Sequence, residues 1–484
     1  MLFNSLDFAV FLPIVFVLYW FVTNRSLKFQ NLLILGASYF FYACWDYRFL
    51  ALILFSTIVD FTVGLALAKE NNIRTRKILL LTSVIINLGF LGFFKYYNFF
   101  LGNFIDAFSF FGQKINVGLL HIILPVGISF YTFQTLSYTI DIYRKQLEPT
   151  KNFIVFASFV AFFPQLVAGP IERASHLLPQ FYKKREFNYS LAVDGMQQIL
   201  WGLFKKVVIA DGSASIVNEI FNNYHDYSGS TIVLGVIFFN FQLYGDFAGY
   251  SDIAIGVSRL FGFDLKRNFA FPYFARDIAE FYRRWHISLT TWFRDYLYIP
   301  LGGSRVGLAK RIRNVFIIYI VSGFWHGANW TFIVWGALNA IYYLPLMIFN
   351  INRSNLDIVA KGKLLPGIKD VSLIMITFAL TGLSRIFFRS DNIQQALTML
   401  SSIFNFSLFK MPYFPGMGLK MGLMVMVVVY FTIEWIGREQ DFGLQIIRKV
   451  NYRPVRWASF LLIALSIFYY SITIDGQQFI YFQF

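Results

Sequence analysis

Long apolar runs alternate with short polar connections along the chain. Runs of roughly twenty residues are what a helix needs to cross a bilayer. They fall at 7–23, 30–45, 50–68, 78–100, 118–140, 152–170, 231–256, 314–349, 371–388, 417–436 and 457–475. The run 314–349 is long enough for two short spans, and a weaker run at 191–210 is interrupted by Lys205 and Lys206. The pattern predicts an all-α polytopic membrane protein with about eleven transmembrane helices. No internal repeat or low-complexity tract divides it, so 1–484 reads as a single integral-membrane domain. The opening MLFNSLDFAVFLPIVFVLYWFV has no basic residue before its apolar stretch and no small-residue cleavage site, so it reads as a retained first span.

One segment breaks the pattern. Residues 264–313 are too polar to span, yet Phe, Tyr and Trp are interleaved through them, and ten Lys/Arg stand against four Asp/Glu. Such a segment is expected to lie in the membrane interface as one or two amphipathic helices. It could serve as a surface anchor or as a cytoplasmic docking face for an anionic partner, and composition alone favours the anchor.

Composition agrees with the membrane reading: 57% of residues are hydrophobic, 20% aromatic and only 14% charged. Soluble domains carry about a quarter charged residues. The net charge of +16 would suggest nucleic acid in a soluble protein. Here the basic residues cluster in short loops, as the positive-inside rule requires, and no nucleic-acid signature accompanies them. The basic loop Lys69–Lys77 is expected to be cytoplasmic. Counting back three spans places the N-terminus outside, and the basic stretch 438–456 predicts a cytoplasmic approach to the last span. A single cysteine, Cys44, excludes an internal disulfide and a multi-thiolate metal site, and reads as a packing residue.

Chemistry concentrates in Ser322-Gly-Phe-Trp-His-Gly-Ala-Asn-Trp330, inside an apolar run. An ionisable residue there costs about 2.5–3.5 kcal/mol on insertion scales, which makes function the default hypothesis. On a continuous helix Ser322, Asn329 and Trp330 would share the face of His326 and surround it with a hydroxyl, an amide and an indole N–H. Gly323 and Gly327 would let another segment approach closely. His286 lies in Arg283-Arg284-Trp285-His286, where two adjacent arginines are expected to keep it neutral by like-charge repulsion. His121, His176 and His225 receive no role. No HExxH motif, acidic–histidine cluster or GxSxG elbow is present, so no metal site is expected. A histidine acting as general base toward a hydroxyl in a water-limited cavity remains.

Five motifs, in order, resemble the membrane-bound O-acyltransferases. They are LPVGISFYTFQTLSYTIDIYR (124–144), FFPQLVAGPIER (162–173), FQLYGDFAGYSDIAIGVSRLFGF (241–263), FYRRWHISLTTWFRDYLYIPLGGSR (281–305) and SGFWHGANWTFIVWGALNA (322–340). The likeness is strongest to the branch that holds the alginate O-acetylation membrane subunit and the teichoic-acid D-alanyl transfer protein. The resemblance implies a ring of helices around a thin central waist, with amphipathic or re-entrant helices. His326 falls at the catalytic histidine and His286 at the second signature position. It implies substrate contacts from Arg283, Arg284, Trp285, Ser322, Trp325, Asn329 and Trp330, with no bound cofactor. The implied donor is acetyl-CoA or a carrier-linked acyl thioester arriving from the cytoplasm. On that reading 264–313 becomes the donor-docking region. Asn329, Trp330 and His286 are candidates for stabilising an oxyanion.

The resemblance points to a bacterial inner-membrane enzyme that moves an acetyl group across the bilayer for O-acetylation of an extracellular polysaccharide. A periplasmic acetyltransferase partner would complete the transfer. D-alanyl or other acyl transfer to teichoic acid, lipid or protein is the alternative within the family, and a transporter or flippase the alternative outside it. Gln134, Ser137, Tyr138 and Asp141 read as polar residues tying helices together. Asp246 and Asp252 are expected to pair with arginines such as Arg259 or Arg276. Pro164 and Gly169-Pro170 suggest a broken helix lining the cavity.

Overall fold

The computed structural model describes residues 1–111, 117–167, 169–474 and 476–480, so Ala168 of the FFPQLVAGPIER motif lies outside the described residues. Among the described residues every regular element is helical. Two compact units appear in the chain, one comprising 1–192 with 257–266 and the other 193–256 with 267–484. Among the described residues seven helical stretches are long and apolar enough to cross a membrane: Leu27–Lys69, Ile73–Phe110, Gly229–Leu260, Trp330–Ile348, Ile368–Arg389, Met417–Ile436 and Arg453–Thr473. Leu6–Val22 and Phe153–Leu166 are shorter apolar helical stretches.

The first unit carries α1 (Leu6–Val17), α2 (Leu27–Asp46), α3 (Leu50–Lys69), α4 (Ile73–Leu91), α5 (Tyr97–Phe110), α6 (Ile128–Tyr143), α7 (Phe153–Val160), α8 (Phe163–Leu166) and α9 (Ala174–Leu177). Short polar side chains set several starts. Ser5 caps α1, Asn72 caps α4 and Asn152 caps α7, each accepting a backbone N–H that the first turn leaves unpaired. The apolar run 118–140 is helical only from Ile128. Residue 127 sits in the left-handed region (φ +76°), where a Cβ would also lie 2.7 Å from the Leu166 carbonyl oxygen, so glycine alone suits it. The run 152–170 breaks between α7 and α8, as Pro164 suggested. Cys44 is exposed rather than packed inward.

Polar residues do tie this unit together. The Gln134 amide on α6 donates to the Phe159 carbonyl on α7 at 2.7 Å. Asp60 on α3 accepts from Ser83 Oγ (2.5 Å) and Asn87 Nδ2 (3.0 Å) of α4, fully buried. His176, given no role from sequence, bridges two carboxylates, with Nδ1 2.8 Å from Glu172 Oε2 and Nε2 3.2 Å from Asp264 Oδ2.

The second unit carries most of α10 (Tyr189–Leu203) and α12 (Gly229–Leu260). It also holds α11 (Gly212–Asn222), α13 (Ile278–Arg284), α14 (Ile287–Phe293), α15 (Leu308–His326), α16 (Trp330–Ile348), α17 (Ile368–Arg389), α18 (Ile393–Ile403), α19 (Met421–Ile436) and α20 (Arg453–Thr473). Lys205 and Lys206 do not end the helical run after α10, because a widened helical stretch carries it through 204–211. Both ammoniums are buried and paired. Lys205 Nζ lies 3.0 Å from Asp252 and 3.1 Å from Glu434, and Lys206 Nζ lies 2.8 Å from both Asp211 and Asp246. Asp246 and Asp252 therefore pair with these lysines rather than with Arg276. Arg276 instead binds Glu280 and Asp357.

The run 314–349 folds as the hairpin of α15 and α16. Two glycines allow the close approach: a Cβ on Gly323 would lie 2.2 Å from the Phe332 carbonyl oxygen, and one on Gly336 would lie 2.3 Å from that of Tyr319. The close neighbour that Gly323 and Gly327 were expected to admit is α16 itself. At Gly327 a Cβ would fall 2.0 Å from the Phe332 ring.

Candidate active site

Helix α15 ends at His326, and Gly327 turns to extended backbone. The continuous helical face expected from spacing is cut there. Asn329 caps α16 instead, accepting the Thr331 N–H at 3.0 Å and donating to the Asp391 carbonyl at 2.8 Å. Trp330, the first residue of α16, is 52% exposed. Ser322, one turn before His326, stays on its side of the hairpin.

His326 is buried in an aromatic cage. Its ring meets Trp325, Trp335 and Phe388 edge to face, with centroids 4.9, 5.1 and 5.3 Å away. Such packing fixes the imidazole plane, so a base held there need not reorganise before accepting a proton.

His286 sits in the turn between α13 and α14 with left-handed backbone (φ 43°, ψ 54°). A non-glycine residue pays for this conformation, and the surrounding hydrogen bonds hold it there. The Ala270 N–H donates to the Arg284 carbonyl and the Ile287 N–H to the Asn268 carbonyl, each at 2.9 Å. Buried Asn268 also accepts the Ser288 hydroxyl at 2.9 Å. The imidazole packs edge to face on Phe247 at 4.6 Å and lies 6.0 Å from the Trp325 ring. Burial holds its pKa well below the usual histidine range, so it is neutral. The neutral state matches the sequence expectation, but the cause is burial rather than the neighbouring arginines. Those arginines are engaged elsewhere: Arg283 donates to the Asn352 and Asn355 carbonyls, and Arg284 pairs with Glu280 at 2.8 Å.

Both histidines line one cavity of about 540 Å³. Arg283, Trp285 and Ser322 share it, with Arg294 and Arg353 adding positive charge and Tyr282, Tyr298 and Tyr343 adding phenol groups. Arg284, Trp325, Asn329 and Trp330 do not line it. Buried Trp325 stands behind the two imidazoles, in ring contact with each. Arg294, Arg353 and Tyr298 were not singled out from sequence, because only folding brings them together. The cavity is large enough for an extended organic chain, apolar along much of its wall, and basic.

The model of the membrane-bound O-acyltransferase family matches residues 144–384, a stretch holding both histidines. A probable alginate O-acetylase of Pseudomonas aeruginosa is 39% identical over 92% of this chain and 82% of its own length. The chain belongs to the membrane-bound O-acyltransferase family. A peptidoglycan O-acetyltransferase of Helicobacter pylori is 36% identical over 83% of this chain and 80% of its own length. A teichoic acid D-alanyltransferase of Streptococcus thermophilus is 31% identical over 45% of this chain and 55% of its own. As a membrane-bound O-acyltransferase, the protein is a multi-pass membrane enzyme that works in the bilayer on an acyl donor and an acceptor. This sets the transporter reading aside.

Proposed function

We propose that the enzyme carries an acetyl group from a cytoplasmic thioester, acetyl-CoA or a carrier-linked acyl group, to an acceptor beyond the membrane, for O-acetylation of an extracellular polysaccharide. The observation that carries this reading is the single cavity lined by His286 and His326 and flanked by arginines. His326 is the general base, taking the proton of the attacking hydroxyl, and neutral His286 is a second polar group on the same wall. Arg283, Arg294 and Arg353 offer positive charge to the phosphates of a thioester carrier. The aromatic cage keeps bulk water away from the thioester, which would otherwise hydrolyse.

In this reading the protein lies in a bacterial inner membrane with its N-terminus outside, and a periplasmic acetyltransferase partner receives the group before the polysaccharide does. The two O-acetylating relatives align over most of the chain, whereas the D-alanylating relative aligns over less than half. That favours acetyl over D-alanyl as the cargo. The test is His326→Ala at unchanged membrane levels, with acetyl content of the cell-surface polysaccharide read by mass spectrometry. Complete loss is expected, and wild-type acetylation in this variant would refute the assignment.

A further inference from the structure

Beside the large cavity lies a second, small space of about 10 Å³, room for one oxygen-sized group. His326 and Trp335 border both spaces. The small chamber's other polar walls are Tyr282 of α13 with Asn339, Thr381, Ser384 and Arg385 of α16 and α17. Arg385 lies in a span and is buried, and among the described residues no carboxylate pairs with it. Its hydrogen bonds run from Nη1 alone, to Asn240 Oδ1 at 2.7 Å and Tyr273 Oη at 2.9 Å, while its guanidinium stacks 4.5 Å over the Trp285 ring. Donors on Nε and Nη2 are held in reserve. On the same lining Asn339 donates its Nδ2 to the Trp335 carbonyl at 2.7 Å, and its buried Oδ1 has no hydrogen-bond partner among the described residues.

These walls select their occupant. A cationic donor and a buried acceptor in one lining suit an oxygen that both accepts and donates. A hydroxyl meets that requirement; a carbonyl or thioester sulfur does not. An intramembrane arginine without a carboxylate is expensive, and an occupied chamber offsets part of the cost.

We propose that this chamber seats the acceptor's nucleophilic hydroxyl, its oxygen accepting from Arg385 and its one proton resting on Asn339 Oδ1 before it turns to His326 as the C–O bond forms. The proposal rests on His326 being the base. The hydroxyl oxygen bonds to the thioester carbonyl carbon as its proton passes to His326. The C–S bond then breaks with its electron pair on sulfur, and the leaving thiolate takes the proton back from His326. Between turnovers a single water fills the same place.

The test is a size series at Ser384, whose substitution changes no charge. Ser384→Ala, the smaller step of the series, removes only a hydroxyl and leaves the chamber open, so it should lose clearly less acetylation of the surface polysaccharide than the larger substitution. Ser384→Val fills it with methyl groups and should lower acetylation at least about tenfold at equal amounts of folded protein, judged by gel filtration in detergent. Arg385→Gln should lose about a hundredfold or more, as removal of a preorganised donor does, with Arg385→Lys between. Equal acetylation by Ser384→Val and Ser384→Ala would overturn the proposal, as would a loss that merely tracks the folded fraction. An active His326→Ala enzyme would instead overturn the underlying assignment of the base. An inactive His326→Ala beside a fully active Ser384→Val would overturn the chamber alone.

Discussion

Trp325 touches both histidines from behind their shared cavity, its ring centroid 4.9 Å from His326 and 6.0 Å from His286. One buried indole thus packs against two imidazoles that belong to different elements. Trp325→Ala should remove that support and leave a void, at a cost of about 3–5 kcal/mol. Trp325→Phe keeps an aromatic ring and should retain most of the stability. Thermal unfolding in detergent, with acetylation measured in parallel, checks this. Equal melting temperatures for the Ala and Phe variants would contradict the role given to the indole.

The left-handed backbone at His286 makes a prediction independent of its imidazole. Asn tolerates this region and a β-branched residue does not, so His286→Asn should fold nearly as wild type. His286→Val should be destabilised by about 1–2 kcal/mol more than Asn. Circular-dichroism melts of the two variants make the comparison. If the hydrogen bonds from Asn268 did not hold the turn, Val would simply shift φ negative and the two melts would coincide.

Much of this was written in the sequence, and the failures have common causes. The membrane class and His326 stood out because polar groups in apolar runs are costly, whereas His286, in a polar basic segment, was given a role only through the family resemblance. The end of α15 was harder to see. Its signals, Gly327 and the Asn329 cap, are local and weak beside an apolar run that looks continuous through them. Lys205 and Lys206 read as flaws in a span because their counter-ions, Asp252, Glu434, Asp211 and Asp246, come from distant segments. Arg385 and Asn339 were invisible for the same reason, since their meaning depends on sharing a wall with His326. Periodicity reports which face of an element is apolar; it does not report which polar groups will meet.

The α15–α16 hairpin carries His326, and its closest contact is at Gly323. An added methyl there meets backbone rather than a flexible side chain, so Gly323→Ala must push the two helices apart. On the proposed role of His326 as base, its displacement by about 1 Å can cost on the order of a hundredfold in rate. We therefore expect Gly323→Ala to insert normally yet lose most of its acetylation, whereas Gly307→Ala, in open space at the start of the same helix, should be silent. Mass spectrometry of the polysaccharide from both strains would show it. Matching activities would mean that the hairpin can relax without moving His326.

The buried lysine pair should be the most sensitive point of the second unit. Lys205→Met leaves Asp252 and Glu434 without their shared cation, which should cost about 3–5 kcal/mol because the carboxylates stay desolvated. Glu434 would keep its bonds from Trp201 Nε1 and Tyr244 Oη, both 2.9 Å, and Asp252 the bond from Gln198 at 2.8 Å. Adding Glu434→Gln to Lys205→Met removes one stranded charge and should recover part of the loss. A double-mutant cycle on thermal stability measures that coupling. Strictly additive effects would show that the ammonium and the carboxylate do not depend on each other.

His176 gives the first unit a pH dependence of definite sign. Both its ring nitrogens face carboxylates, Asp264 and Glu172, and both contacts are donor-to-acceptor only when the imidazole is protonated. Asp264 first, and then Glu172, raise its pKa from 6.5 to about 9. A pKa raised on folding means that the contribution is complete below about pH 6.5 and is lost as pH climbs through about 9. Glu172 is buried and also accepts the Lys266 N–H at 2.6 Å, so deprotonating His176 loosens the joint between 172–180 and 264–266. His176→Gln removes the titrating group. Its melting temperature should lie below wild type at about pH 6, and the gap should close by about pH 10. Melting curves that run parallel across this range would mean that the imidazole is not charged in the folded protein.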